Sequence, residues 1–287
     1  MRGKILALGG VLILAATAAS AQEMKVSTPT YDDIYCSGRI DGEQIPTNTF
    51  IITGEGSDTR ITFQQNDYVY VNKGTDQGVK VGDELLAMRP VSDPTLEPYF
   101  KWQFTITKKI GQMWEDEGRL KVVVAQPNAS VAQVVHACNY IQRGDILLPA
   151  ADRPVPPLKP AANFDRFAPP SGKALAMVLI GRYFHVELGT NDIMYVNLGA
   201  NQGVKVGDYF RVFRYTGQED QTAFQEAHHA FEVEGFGGVS SAKYKWDNVP
   251  REVLGEGVVI TVTPNSATVL LTFSLREIFS GDYVELE

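Results

Sequence analysis

Asn66 to Asp83 reads NDYVYVNKGTDQGVKVGD, and Asn191 to Asp208 reads NDIMYVNLGANQGVKVGD. The strings lie 125 residues apart and agree at 13 of 18 positions. Self-similarity of this kind marks a duplicated unit. Each string opens on a strand-like run, Tyr68-Val69-Tyr70-Val71 or Met194-Tyr195-Val196, rich in aromatic and β-branched residues. Arg89 and Arg214 keep the same spacing. A second pair of blocks, Gly118 to Asp145 and Gly255 to Asp282, follows at an offset of 137. Pro127-Asn128 there answers Pro264-Asn265. The change of offset gives copy two 12 extra residues between its matched blocks.

Both blocks end alike. The pattern Val/Ile-x-x-Gly-Asp occurs four times, closing on Gly82-Asp83, Gly144-Asp145, Gly207-Asp208 and Gly281-Asp282. Glycine enters backbone conformations that other residues resist, and aspartate accepts hydrogen bonds from nearby backbone N–H groups. The longer form carries Gly74, Gly78 and Gly82, matched by Gly199, Gly203 and Gly207 in copy two. From Gly74 on, the chain should leave a strand, turn tightly through Gly78, bury Val79 and Val81, and turn again. Lys80 and Lys205 should face water. These residues read as structural turns. Calcium loops need several oxygen ligands close together, and each turn here offers a single carboxylate, so no metal is expected.

The rest of the chain reads as β with little helix. Phe100, Trp102, Phe104 and Ile106 alternate with polar residues, the period of a half-buried strand. Val122-Val123-Val124, Val258-Val259-Ile260 and Thr268 to Thr272 resemble buried strands. Ala223 to Val233 is the one fair helix candidate. Seven prolines between Pro149 and Ser171 favour an extended, semi-rigid spacer. The expected architecture is all-β: module 1 over 22–148, a Pro-rich linker over 149–171, and module 2 over 172–287, each a small barrel or sandwich.

The N-terminus points to export. Arg2 and Lys4 precede an apolar run, Ile5 to Ala16, too short to cross a membrane, and Ala19-Ser20-Ala21 offers a cleavage site. Residues 1–21 therefore read as a signal peptide, with no transmembrane span in the mature chain. The whole chain has 26 Lys+Arg against 34 Asp+Glu; without Arg2 and Lys4 the balance is 24 against 34, a net charge of −10. A nucleic-acid partner needs a basic face, so none is expected. Cys36 and Cys138 are the only cysteines. In an oxidising compartment such a pair reads as a disulfide.

The string YVNLGANQGVKVGDYFRVFR, followed after an insert by VLGEGVVITVTPNSATVLLTFSLREIFSGD, resembles the C-terminal domain of the flagellar assembly protein T family. It is also similar to repeat modules of envelope proteins that carry peptidoglycan-binding LysM domains. Copy one matches through YVYVNKGTDQGVKVGDELLAMR and then GRLKVVVAQPNASVAQVV. The resemblance covers about 60 residues of each module. It implies a small β-barrel with a structural or interaction role in the envelope and no catalytic residues.

No motif argues for catalysis or a cofactor. Ser240-Ser241-Ala242-Lys243 contains Ser-x-x-Lys, but the Lys-Thr-Gly element that accompanies it in penicillin-interacting enzymes is missing. His136, His185, His228 and His229 lack the spacing of a zinc site. Glu115-Asp116-Glu117 reads as an acidic turn facing water. Tyr99, Trp102, Trp114 and Trp246 lie in or near the segments that differ between copies, where binding surfaces tend to sit. Trp102, alternating with Phe100 and Phe104, also reads as core. The tryptophans form a candidate binding surface, either for other envelope proteins or for peptidoglycan or another envelope polysaccharide. Because the inserts differ, the duplication reads as one longer scaffold in the periplasm, at the outer-membrane periphery or on the cell surface. The sequence carries no mark of oligomeric state.

Overall fold

The computed structural model describes residues 27–56, 59–95, 97–159, 164–215 and 250–287. The signal peptide read at 1–21, the helix read at Ala223–Val233, Trp246, His228, His229 and the Ser-x-x-Lys at Ser240 lie outside the described residues.

The protein is mostly β. Its first half contains α1 (Tyr31–Tyr35), β1 (Arg39–Asp41), β2 (Ile51–Gly54), β3 (Thr62–Phe63), β4 (Tyr68–Val71) and β5 (Glu84–Val91). Then come α2 (Gln103–Ile110), β6 (Gln112–Ala125), β7 (Ser130–Ala137), β8 (Ile141–Gln142) and β9 (Ile146–Pro149). The second half contains β10 (Leu175–Gly181), β11 (Glu187–Leu188), β12 (Ile193–Val196), β13 (Tyr209–Arg214), β14 (Glu252–Val262), β15 (Ala267–Ser274), β16 (Ile278–Phe279) and β17 (Tyr283–Leu286).

The second half is a closed barrel in the order β10-β12-β15-β14-β13-β17, with β17 pairing back onto β10. The first half follows the same path, β2-β4-β7-β6-β5-β9, and β1 adds to the start of β6. Its ends meet at one bridge, Phe50 to Ile146, where Leu147 N–H donates to the Thr49 carbonyl at 2.8 Å. Strand alternation explains both cores. Val69 and Val71 point inward with Ile51, Phe63, Leu120, Val134 and Leu147. Met194 and Val196 do the same with Val178, Phe210, Leu271 and Val284.

The glycine-rich repeat has a concrete geometric cause. A Cβ on Gly74 would lie 1.9 Å from the Gln126 carbonyl oxygen, and one on Gly199 would lie 2.3 Å from that of Thr263. The hairpin turn at Pro127 or Pro264 presses on these positions: Thr75 N–H donates to Gln126 O and Ala200 N–H to Thr263 O, both at 2.9 Å. A single 3-10 turn follows in each copy, Thr75–Gln77 and Ala200–Gln202, and it ends on Gly78 or Gly203 in the left-handed region, at φ 86° and 87°. Around Gly78 the space is open, so its requirement is the backbone angle and not a close approach. Gly82, Gly144, Gly207 and Gly281 adopt φ of 96°, 86°, 94° and 98°, values that L side chains resist. Beside each, the aspartate carboxylate accepts the N–H three residues back. Lys80 donates to Asp83, Gln142 to Asp145, and Lys205 to Asp208 at 2.8 Å, and Phe279 to Asp282 at 2.7 Å. Asp67 and Asp192, outside the expected pattern, do the same to Gln64 and Gly189. Val79 packs against the core while Val81 is exposed, so the expected burial of both valines is corrected: the turn after Val79 carries the chain outward.

The strand expected at Phe100–Thr107 is instead helix α2. Phe100 is buried, whereas Trp102 is exposed and adopts a left-handed conformation at φ 73°. The periodicity that wins is Gln103, Ile106, Ile110, one face of a helix. Gln103 fixes the entry by accepting from Tyr99 N–H at 2.7 Å. Gly111 ends the helix where a Cβ would meet the Asp41 carbonyl at 2.1 Å.

The Pro149–Ser171 stretch is held along both halves. Arg153 pairs with Asp116 of β6 at 2.7 Å, Leu158 N–H donates to Ser27 O at 2.8 Å, and Lys159 N–H donates to the Tyr209 hydroxyl at 2.6 Å. Ala168 packs on Phe213 and Val253.

Candidate interaction face

The outer side of the first half is unusually apolar. Ile52 of β2 and Tyr68 and Tyr70 of β4 are 46%, 38% and 41% exposed, and Phe50 and Val124 are exposed beside them. The pairing register places them in one patch. Thr53 next to Ile52 pairs with Tyr70, Tyr70 pairs with Val131 of β7, and Val131 pairs with Val124 of β6. A row of apolar side chains therefore crosses four strands. Scattered apolar residues on a surface are ordinary, but a contiguous patch marks a contact site.

The second half carries the same face, and there it is closed. Ile193 and Tyr195 stand where Tyr68 and Tyr70 stand, and Leu179 holds the bulge position of Ile52. Their exposures are 2%, 1% and 0%. What covers them is the first half: Ile34, Ile40, Phe100, Ile110 and Met113 join Leu179, Ile193, Tyr195, Val258 and Leu270 in one buried cluster. Polar atoms inside this junction are matched. The Tyr195 hydroxyl donates to the Ser37 carbonyl at 2.8 Å, Thr268 to Gly38 at 3.1 Å, and Ser266 to Ile40 at 2.6 Å. In the other direction the Gln103 side chain donates to the Leu179 carbonyl at 2.9 Å. Burial pushes the Tyr195 phenol far above its ordinary pKa, so it stays a neutral donor.

The tryptophans expected to form the binding surface are not brought together. Trp114 is buried with Leu86, Met88 and Ile146, because it lies on the inward side of β6. Only Trp102, on the connection into α2, is exposed among the described residues. A signal for the true face was present in the repeat. Between copies, Tyr68 becomes Ile193, Lys121 becomes Val258 and Gln133 becomes Leu270. Outward positions that are polar in copy one turn apolar where copy two is covered.

Glu115-Asp116-Glu117, expected as a solvated turn, lies within strand β6, with Asp116 and Glu117 buried. Arg89 forks onto Asp145 at 2.8 and 2.9 Å and reaches Glu117 at 3.0 Å. Arg214 forks onto Asp282 at 2.7 Å in the same place in the second half. There, Leu254 takes the position of Glu117. Burial pushes the Glu117 carboxyl up to about 8, aided by the neighbouring carboxylates and opposed by Arg89. Below the ordinary carboxylate value both folded and unfolded chains hold this proton. Between that value and about 8 only the folded chain holds it, so stability falls as pH rises through this window. The Glu117→Leu substitution should remove that slope, which for one proton reaches about 1.4 kcal/mol per pH unit. Denaturant titrations at pH 6 and pH 9 check this. An unchanged pH slope in the variant contradicts it.

Cys36 and Cys138 form a disulfide with a Cα separation of 5.4 Å. His136 lies beside them and pairs with Asp32 at 2.9 Å. These three are metal-type ligands in reach of one another, but the S–S bond leaves no thiolate for a metal or for nucleophilic attack. A cleft at the junction is lined by Val91, Asp93, Phe104, Lys108, Met113 and Phe184. Among the described residues no helix is long and apolar enough to cross a membrane.

No protein-family model matches the chain, and no curated protein sequence matches it.

Proposed function

We propose that this chain is an exported, non-catalytic protein of the bacterial cell envelope that works by holding other proteins in place. The observation that carries this reading is the uncovered row Ile52, Tyr70, Val124 on the first half, because the same face of the second half is a buried contact. The likeness of both copies to the C-terminal domain of the flagellar assembly protein T family supports the same role. So does the disulfide, which fits an oxidising compartment. The signal-like N-terminus supplies the route out of the cytoplasm.

Retention experiments with residues 22–287, run against a solubilised envelope extract and against bare peptidoglycan sacculi, test this reading. Wild-type chain is expected to retain a defined protein set that is lost in a Tyr68→Lys/Tyr70→Lys variant, and to leave sacculi unbound. Saturable sedimentation with sacculi that survives both substitutions would replace this reading with wall binding.

A further inference from the structure

The chain already contains one instance of its own docking geometry. In it, β1 runs along the start of β6, pairing Ile40 with Met113 and Arg39 with Trp114, and presents Ile40 to the second half's face. The second half has a segment in the corresponding place. Residues 166–168 run along the start of β14: Val253 N–H donates to the Arg166 carbonyl at 2.8 Å, and the Arg251 side chain donates to the Ala168 carbonyl at 3.0 Å. At the centre of this segment Phe167 is 63% exposed, whereas Ile40 is fully buried. One end of the molecule therefore leaves a face open, and the other end leaves open the counterpart of what covers such a face.

We propose that these two surfaces belong together: the Ile52–Tyr70–Val124 face of one copy docks on the Phe167 segment of a second copy. The inference rests on the reading of that face as a contact site and names its occupant. Both open surfaces lie on the same chain, and the internal repeat relates them as it relates the contact the chain makes within itself. Tyr70 retains the phenol that Tyr195 uses to reach a backbone carbonyl, and the segment around Phe167 offers carbonyls in the place of those at Ser37 and Gly38. The joined surfaces are unlike, so the contact is heterologous and does not saturate at two copies.

Sedimentation analysis of residues 22–287 over a wide concentration range tests this. Wild-type chain is expected to pass beyond dimer as concentration rises. Tyr70→Glu alone and Phe167→Glu alone should each be monomeric. An equimolar mixture of the two variants should give dimer and nothing larger, because one retains an intact Phe167 segment and the other an intact face. Far-UV circular dichroism checks folding, and Ile52→Glu replaces Tyr70→Glu should that variant not fold. Association broken by Tyr70→Glu but untouched by Phe167→Glu would mean face-to-face pairing and overturn the proposal. A mixture that stays monomeric would overturn it as well. Wild-type chain that remains monomeric throughout, while its face still retains another envelope protein, overturns this inference and leaves the proposed function standing. Loss of both self-association and retention removes the two together.

Discussion

Arg89→Leu is expected to lower the stability of the chain by about 3–5 kcal/mol at neutral pH, the cost of breaking a buried ion pair from one side. The guanidinium stands between two carboxylates that have almost no contact with water, Asp145 and Glu117. It also donates to the Tyr140 carbonyl at 3.0 Å and lies 4.8 Å from the Tyr140 ring. Burial already raises the Asp145 carboxyl above its ordinary value, with Arg89 opposing that rise. Without the arginine, Asp145 must take up a proton or remain as an uncompensated charge. The loss should therefore shrink as pH falls towards 5. Arg60→Leu provides the contrast, since the Arg60–Asp67 pair is partly exposed and should cost no more than about 1 kcal/mol. Urea titrations of both variants at pH 7 and pH 5 make the comparison. Equal small losses from the two substitutions would show that the buried cluster does not hold the barrel ends together.

The double substitution Cys36→Ser/Cys138→Ser should cost up to about 4–5 kcal/mol, because the bridge closes a span of 102 residues and removes that much freedom from the unfolded chain. Its position adds a second consequence. It ties the segment just before β1 to the residue after β7, and the carbonyls of Cys36, Ser37, Gly38 and Ile40 accept the hydrogen bonds of Arg182, Tyr195, Thr268 and Ser266 from the second half. Losing the bridge should loosen this junction before the barrels melt. Wild-type chain under reductant should show the same loss as the double variant in chemical denaturation. A midpoint indifferent to reductant would contradict the account.

The repeat made much of the fold readable. Two blocks in the same order, each ending on Gly-Asp, correspond to the same strand path in both halves, and Gly78, Gly82 and their counterparts take the left-handed angles that the pattern required. The shared spacing of Arg89 and Arg214 was visible, but their partners Asp145 and Asp282 stand 56 and 68 residues away and follow from barrel geometry, not from local pattern. Helix α2 was hidden because Phe100 to Thr107 satisfies a strand alternation while Gln103, Ile106 and Ile110 satisfy a helical one, and the hydrogen bonds of Gln103 decide between them. The acidic run was misread for a related reason. Three adjacent carboxylates favour water unless Arg89, Arg153 and the opposing half close over them. The candidate surface shifted from tryptophans to tyrosines because exposure depends on what packs beside a strand. Tyr70 and Tyr195 are the same residue in the same motif, one open and one covered.

Oxidative footprinting of Tyr68 and Tyr70 compares intact envelopes with the isolated chain at a concentration where it is monomeric. It addresses the central claim directly. Tyr31, exposed elsewhere on the first half, serves as the internal reference. The account predicts that Tyr68 and Tyr70 are protected in envelopes while Tyr31 reacts as before. Equal reactivity of all three tyrosines in both states would show that this face stays open to water in the cell envelope, and would contradict its role as the working surface.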